Sequence, residues 1–216
     1  MIIIPTYKEC ENLKELLPKI LDETTHDVLI VDDSSNDGTK ELIKKYDRVH
    51  LLERKKRGFG SAVLDGLKEG IKRKEAFLLT MDADLSHDPK DISRLLKACK
   101  GVDVVIGSRY VKGGAINNWA LHRRLLSKAA NTYARTVLGL KQKDVTGGFR
   151  VYRTSAIKKI INKKFSEGYT FQEEILYRLQ GRVKEIPITF IERREGKSKL
   201  PSSEIFTGAY RLLKLR

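Results

Sequence analysis

The feature that most constrains the fold is a repeated switch of hydrophobic period. Short apolar runs, MIII (1–4), DVLIVDD (27–33), RVHLLER (48–54), AFLLTMDAD (76–84) and VDVVIGSRY (102–110), read as strands. Segments of helical spacing separate them. Leu13, Leu16, Leu17, Ile20 and Leu21 share one face of residues 12–23, where Pro18 predicts a kink or a restart. Asp37 reads as the cap or turn of a helix running to Tyr46. Residues 58–73 place Val63, Leu64, Leu67 and Ile71 inward, and Pro89 suits the first turn of a helix over 89–100. Nearly continuous apolar strands alternating with helices predict an α/β fold: a mainly parallel sheet covered on both faces.

In such sheets ligands bind beyond the carboxyl ends of the strands. Pro5, Tyr7 and Glu9 follow the first strand, and Asp32 and Asp33 end the second. Asp82 and Asp84 follow FLLTM, and Ser108 and Arg109 follow VVIG. All four ends are polar and three are acidic. Two aspartates one residue apart suggest a divalent cation, because hard cations prefer carboxylate oxygens and share their shell with phosphates. In extended chain those carboxylates would point to opposite sides, so the chain must turn there or the two acids differ in role. The expectation is that Asp84 holds metal while Asp82 meets the sugar of a ligand or orients the site. The competing role, capping the next helix, suits Asp88 better.

The second half is less regular. Residues 119–139 form a long helical stretch carrying Arg123, Arg124 and Arg135. The turn TGGF (146–149) leads to a strand, RVYR, and helices are expected over 155–164 and 171–180. VKEIPITFIER (183–193) reads as one strand, REGKSKLPSS as a basic loop, and residues 204–216 as an amphipathic helix. No repeat or linker interrupts the chain, and 216 residues suffice for a single domain.

Several readings are excluded by spacing. DDSSNDG (32–38) resembles a calcium loop, but position 12 is Lys44 where a glutamate is required. GFGSAV (58–63) has Val63 in place of the third glycine of a dinucleotide fingerprint, so its glycines are expected to let the helix start pack closely. No GxSxG elbow is present. His26, His50, His87 and His122 lack metal-ligand spacing and read as surface or turn residues. Cys10 and Cys99 show no paired pattern, which predicts a reducing compartment. No apolar run is long enough for a membrane span, and MIIIPTYKE is too short for a signal peptide, so a cytoplasmic location is expected. The 43 Lys and Arg outnumber 28 Asp and Glu, a formal charge of +15. That excess fits nucleic acid, an anionic membrane or a phosphorylated small molecule as partner, or a solvated lysine-rich surface. A nucleic-acid-binding module is disfavoured by 7% aromatics and by the acidic strand ends.

Taken together, IPTYKECENL, IVDDSSNDGT, GFGSAVLDGL, MDADLSHDP, GSRYVKGG and TGGFRVYR resemble the dolichol-phosphate mannosyltransferases of glycosyltransferase family 2. The resemblance runs from Ile2 to about Leu200 and extends to GYTFQEE and REGKSKL. It implies a GT-A fold, with a catalytic domain over 1–200 and an amphipathic tail over 201–216. The implied reaction is inverting transfer of mannose from GDP-mannose to dolichyl (polyprenyl) phosphate, with Mg²⁺ or Mn²⁺ as cofactor. The product is a lipid-linked sugar donor for glycosylation. By resemblance Pro5, Tyr7, Glu9, Val31 and Asp33 meet the base and ribose. Asp82, Ala83 and Asp84 form the metal and sugar-nucleotide motif, and Ser86 stands where some relatives place a glutamine metal ligand. Arg109 and Arg123 hold the acceptor phosphate, Arg193 and Lys199 close over the donor diphosphate, and Gln172 and Glu174 face the site. Selecting these cations from 43 basic residues rests on the resemblance. The alternative is a polyprenyl-phosphate glucosyltransferase or another family 2 enzyme using a UDP-sugar. A membrane-lipid acceptor implies a peripheral protein at the cytoplasmic membrane face. There the tail lies on anionic lipid or packs on the core, or a separate membrane subunit docks the enzyme.

Overall fold

The structure, a computed structural model, describes residues 1–55, 57–166, 168–192 and 202–216, with side chains from 207 onward in the last segment. Its first half alternates as the apolar pattern requires: β1 (Ile2–Thr6), α1 (Cys10–Glu23), β2 (Val28–Asp32), α2 (Thr39–Ile43), β3 (Val49–Glu53), α3 (Phe59–Lys72), β4 (Phe77–Thr80), α4 (Asp91–Lys97) and β5 (Val104–Ser108). There follow β6 (Ala115–Asn117), α5 (Leu121–Leu138), β7 (Arg150–Arg153), α6 (Thr154–Ile157), α7 (Phe171–Leu179), β8 (Val183–Pro187), β9 (Thr189–Ile191) and α8 (Ser202–Leu215).

Seven strands form the main sheet in the order β3-β2-β1-β4-β7-β5-β8. All neighbours are parallel except β7, which runs antiparallel between β4 and β5. The carboxyl ends of β1, β2, β4 and β5 therefore lie along one edge, and the reversed β7 begins at that same edge. This brings TGGF beside the acidic strand ends. The strand side chains alternate between two cores. Ile3, Leu29, Val31 and Leu78 join the cluster under α3 and α7, while Ile2, Ile4, Val28, Ile30 and Leu79 pack under α1 and α4.

Glycines set how closely α3 lies on the sheet. A Cβ at Gly66 would stand 2.4 Å from Ile3 Cγ2, and one at Gly70 would stand 2.3 Å from Leu78 Cδ2. Gly66→Ala is therefore expected to cost about 1–3 kcal/mol through overpacking of a dense core. Thermal unfolding checks this; an unchanged melting temperature would mean that α3 can lift off the sheet freely.

Several expectations are corrected. Pro18 does not interrupt α1, which runs unbroken over Cys10–Glu23. The helix expected over 155–164 is only the single turn of α6. The strand expected over 183–193 divides at Ile188: β8 pairs with β5, whereas β9 pairs with β6 in a separate two-stranded sheet. Ile188 is buried against Gly107 at the division, so an apolar run that reads as one strand serves two sheets. For the tail helix α8 the alternative of packing on the core is the one seen. Leu212 is buried in the core, and Tyr133 Oη of α5 donates to the Ala209 carbonyl at 3.0 Å. Tyr210 and Leu213 face outward.

Candidate active site

A cleft of about 820 Å³ opens at the carboxyl edge of the sheet. Pro5, Tyr7, Glu9, Asp33, Asp82, Ala83, Asp84, Arg109 and Arg123 all line it. These residues come from five segments of the chain, and the topology alone brings them together. Tight turns aim them. Lys8, Ser34 and Leu85 each adopt a left-handed backbone, with φ of 57°, 56° and 62°, just beyond β1, β2 and β4. Non-glycine residues in that region store strain, and such strain concentrates where a site demands a particular geometry.

Each acidic pair divides its labour. Asp32 is structural: its carboxylate accepts from Thr6 Oγ1 at 2.9 Å, Ser35 N at 2.8 Å and Ser35 Oγ at 2.5 Å. Asp33 faces the cleft and accepts from Arg54 Nη1 at 2.6 Å and Gly58 N at 2.9 Å. Burial raises the Asp33 pKa against these bonds. Gly58, at φ 147°, brings its N–H to Asp33 in a conformation that side chains rarely adopt. In the second pair the chain turns after Thr80, so Asp82 and Asp84 both reach the cleft. Asp84 Oδ1 accepts from Ser86 Oγ at 2.5 Å and Ser86 N at 3.2 Å. The buried Ser86 hydroxyl is thus directed at Asp84.

His87 corrects the surface reading. It is buried beneath the turn, stacked on Phe149 at 4.8 Å, and its Nδ1 accepts the Asp82 N–H at 3.1 Å. Burial, opposed by the Asp84 charge, lowers its pKa to about 4. The ring is therefore neutral near pH 7, and its Nε2 at 4.0 Å from Asp82 Oδ2 makes no ion pair. The sequence signal was present in its place within the DADLSH turn, not in ligand spacing.

Two of the cleft arginines, Arg109 and Arg123, are already paired. Arg109 is buried and bonds Asp144 in a fork, Nε to Oδ2 at 2.8 Å and Nη2 to Oδ1 at 2.7 Å. Nη2 also donates to Thr146 Oγ1 at 2.8 Å, which leaves Nη1 without a hydrogen bond among the described residues. Burial would lower the Arg109 pKa, but Asp144 holds it above its ordinary value. Arg123 bonds Glu192 through Nη1, and its guanidinium lies 4.7 Å over the Trp119 ring. Arg193 and Lys199 lie outside the described residues. Val31 is fully buried under α3, near Gly66, so its side chain is in the core and not among the cleft-lining residues.

The FQEE segment meets expectation at Gln172, which lines the cleft, and departs from it at Glu174. The Gln172 amide lies against the TGGF turn; with its NH₂ turned toward the two carbonyls, the orientation its neighbours require, it donates to Thr146 O at 2.9 Å and Gly147 O at 2.6 Å. Glu174 points away, bonded to Arg178 at 2.7 Å and to Ser166 N at 2.8 Å. Its neighbour Glu173 lines the cleft instead. Burial pushes the Glu173 pKa up to about 7, and its Oε2 is buried with no hydrogen-bond partner among the described residues. A folded pKa above the unfolded value of 4.5 means that the folded state holds the proton longer. Stability then falls as pH rises from about 4.5 to about 7. Glu173→Gln is expected to remove that loss, gaining on wild type by about 1–3 kcal/mol between pH 5 and pH 8. Parallel melting-temperature profiles would refute it.

Sequence reasoning also missed Arg57, Phe59, Trp119, Tyr169 and Phe190. Arg57 stands 4.3 Å from the Tyr7 ring, and Phe59 stacks on Tyr169 at 5.1 Å. Away from the acids the cleft becomes apolar, walled by Phe59, Leu126, Ala130, Tyr133 and Leu212. The arrangement is a polar floor of carboxylates, two oriented guanidinium groups, and an apolar extension between α5 and α8. Asp82 and Asp84 supply the oxygen donors a hard cation takes when phosphate and water complete its shell. Among the described residues no cluster of three or more His, Cys, Asp or Glu forms an all-protein metal cage.

The family model "Glycosyl transferase family 2" matches residues 1–161. The chain is 44% identical over 221 residues to the polyprenol monophosphomannose synthase of Mycolicibacterium smegmatis, covering 95% of this chain and 82% of that protein. It is 41% identical over 210 residues to the undecaprenyl-phosphate mannosyltransferase of Micrococcus luteus, covering 93% and 86%. Among solved structures, glucosyl-3-phosphoglycerate synthase from Mycobacterium tuberculosis, in complex with Mn²⁺, UDP and glucosyl-3-phosphoglycerate, matches with a TM-score of 0.70. That match covers 99% of this chain and 77% of the synthase at 14% identity, which establishes a shared fold.

Proposed function

The chain belongs to glycosyl transferase family 2, and from that premise we propose that it transfers mannose from GDP-mannose to a polyprenyl phosphate such as dolichyl phosphate. The observation that carries the reading is a single cleft joining carboxylates, oriented arginines and an apolar extension. The two mannosyltransferase relatives, whose names specify polyprenol and undecaprenyl-phosphate chemistry, support the acceptor class.

In this reading Pro5, Tyr7, Glu9 and Asp33 hold the nucleoside of the donor. Asp84, oriented by Ser86, holds Mg²⁺ or Mn²⁺, and Asp82 meets the sugar. When bound there, the ion would supply positive charge to the departing diphosphate. Arg109 and Arg123 hold the acceptor phosphate, each guanidinium fixed by its carboxylate so that little reorganisation accompanies binding. Arg193 and Lys199 complete the charge around the donor diphosphate. The isoprenoid runs along the apolar wall between α5 and α8.

An acceptor phosphate oxygen attacks the anomeric carbon as the bond to the diphosphate breaks. The anomeric configuration inverts, an α-linked donor giving a β-linked mannosyl phosphate. The phosphate monoester is already ionised at neutral pH, so no protein base has to take a proton. The difficulty is repulsion between two anionic substrates, and the cleft arginines offset it. We place the protein at the cytoplasmic face of a membrane; no helix among the described residues is long and apolar enough to cross one.

The test is transfer of radiolabelled sugar from GDP-mannose or UDP-glucose to a polyprenyl phosphate, with the product's anomeric configuration read by NMR. A β-linked mannosyl lipid is expected. Transfer from UDP-glucose alone would move the assignment to a glucosyltransferase, and an absence of lipid product from either donor would overturn it.

A further inference from the structure

A second concavity, of about 430 Å³, lies on the other side of α5 from the cleft. The helix divides the two by its own periodicity, although Arg109 lines both. Arg123, Ser127 and Ala130 face the cleft, whereas Arg124, Lys128 and Arg135 line the second concavity. Lys143, from the segment after α5, adds a fourth cation. Among the described residues none of these four pairs with a carboxylate. Arg124 Nη2 is bonded to the Ile116 carbonyl at 2.7 Å, which fixes one guanidinium at the rim. Glu185, beside Lys143, is taken up by the backbone N–H groups of Lys143 and Asp144 at 2.8 and 2.9 Å.

Four like charges around one concavity repel, and among the described residues Glu185, spent on two backbone N–H groups, is the carboxylate at its rim, with no ion pair to any of the four. The Arg135 Nε is moreover buried and has no hydrogen-bond acceptor among the described residues. A buried donor of this kind costs free energy unless something outside the chain satisfies it. Arginine and lysine converging without ion-pair partners match the charge and acceptor-rich surface of a phosphate group. We propose that this concavity is a second phosphate-binding site, built on the opposite face of α5 from the cleft by Arg124, Lys128, Arg135 and Lys143.

The surroundings favour a lipid-borne phosphate. Leu121 and Leu125 lie on the same helical stripe as the cations and are 70% and 59% exposed. Leucines of this exposure beside a basic pocket suit a helix resting at a membrane surface, its apolar residues among acyl chains and its cations on headgroups. Occupancy would hold α5 against the bilayer and turn the apolar extension of the cleft towards it.

Two arms test the proposal on the full chain. The first is co-sedimentation with phosphatidylcholine vesicles, with and without phosphatidylglycerol. It compares wild type, Lys128→Gln/Arg135→Gln, and the charge-matched control Lys158→Gln/Lys159→Gln on the exposed segment after α6. The pocket variant should lose about 30-fold in partitioning to anionic vesicles, the effect of two cations near such a surface. The control should lose little. The second arm follows the Arg135 Nε–H resonance of the wild-type chain by NMR as inorganic phosphate is added, and needs no mutant to fold. A phosphate-induced shift without a vesicle effect would assign the site to a free phosphate. Equal vesicle losses in both variants together with an unmoved Arg135 resonance would overturn the proposal.

Discussion

Replacing Asp144 by alanine is expected to destabilise the fold by about 3–5 kcal/mol, because it strands a buried guanidinium. Asp144 is fully buried and accepts four hydrogen bonds: from Arg109 N, Nε and Nη2 and from Gly147 N, at 2.7 to 3.0 Å. Burial alone would raise its pKa. The charge and hydrogen bonds of Arg109, with Arg150 behind, instead hold it below the ordinary carboxylate value. A depressed folded pKa gives stability that is present above the unfolded value of 3.8 and lost as pH falls through the folded one. The variant should therefore be less stable at neutral pH and lose part of the wild type's acid sensitivity. For a chain of this size the melting temperature should drop by about 6–20 °C. The double variant Arg109→Met/Asp144→Leu separates stability from function. Removing the whole pair in favour of apolar side chains is often neutral or stabilising. It should recover most of the stability while transfer activity stays lost. A double variant as unstable as Asp144→Ala would mean that packing, not an uncompensated charge, sets the cost.

Asp84→Asn is expected to leave stability within about 0.5 kcal/mol of wild type, while transfer slows about 10²–10³-fold. Asparagine keeps the size of the side chain and an oxygen able to accept from Ser86, so the turn after β4 can persist. It removes the negative charge that a hard cation requires. Titration of GDP with and without Mn²⁺ reads this directly: wild type should bind more tightly with the ion, and the variant should show no such gain. Ser86→Ala, which removes the 2.5 Å bond orienting Asp84, should fall between the two with a loss of about 10–100-fold. Retention of Mn²⁺-enhanced GDP binding in Asp84→Asn would remove Asp84 from the ion's site.

Much of this was legible in the chain. Runs such as VLIV and FLLT are apolar on both faces, a property of strands covered on both sides, and the acids that end them mark the ligand edge. Pairings between distant segments were not legible. Asp144 lies in an unremarkable KDV stretch, yet it fixes Arg109, because β7 runs backwards through the sheet and delivers its preceding turn to the same edge. Glu173 and Glu174 are adjacent and chemically alike, and only the rotation of α7 decides that Glu173 faces the cleft while Glu174 meets Arg178. His87 lacks ligand spacing but is buried by stacking on Phe149, sixty-two positions later in the chain. The sequence by itself determined the alternation of elements, the two-faced burial of the strands and the acidic edge, because hydrophobic period and strand-end chemistry are local. The tertiary structure alone decided which carboxylate neutralises which arginine, which glutamate turns inward, and that α5 stands between an acid-lined cleft and a basic pocket. Those outcomes depend on burial and on contacts between residues far apart in the chain, and no local pattern encodes them.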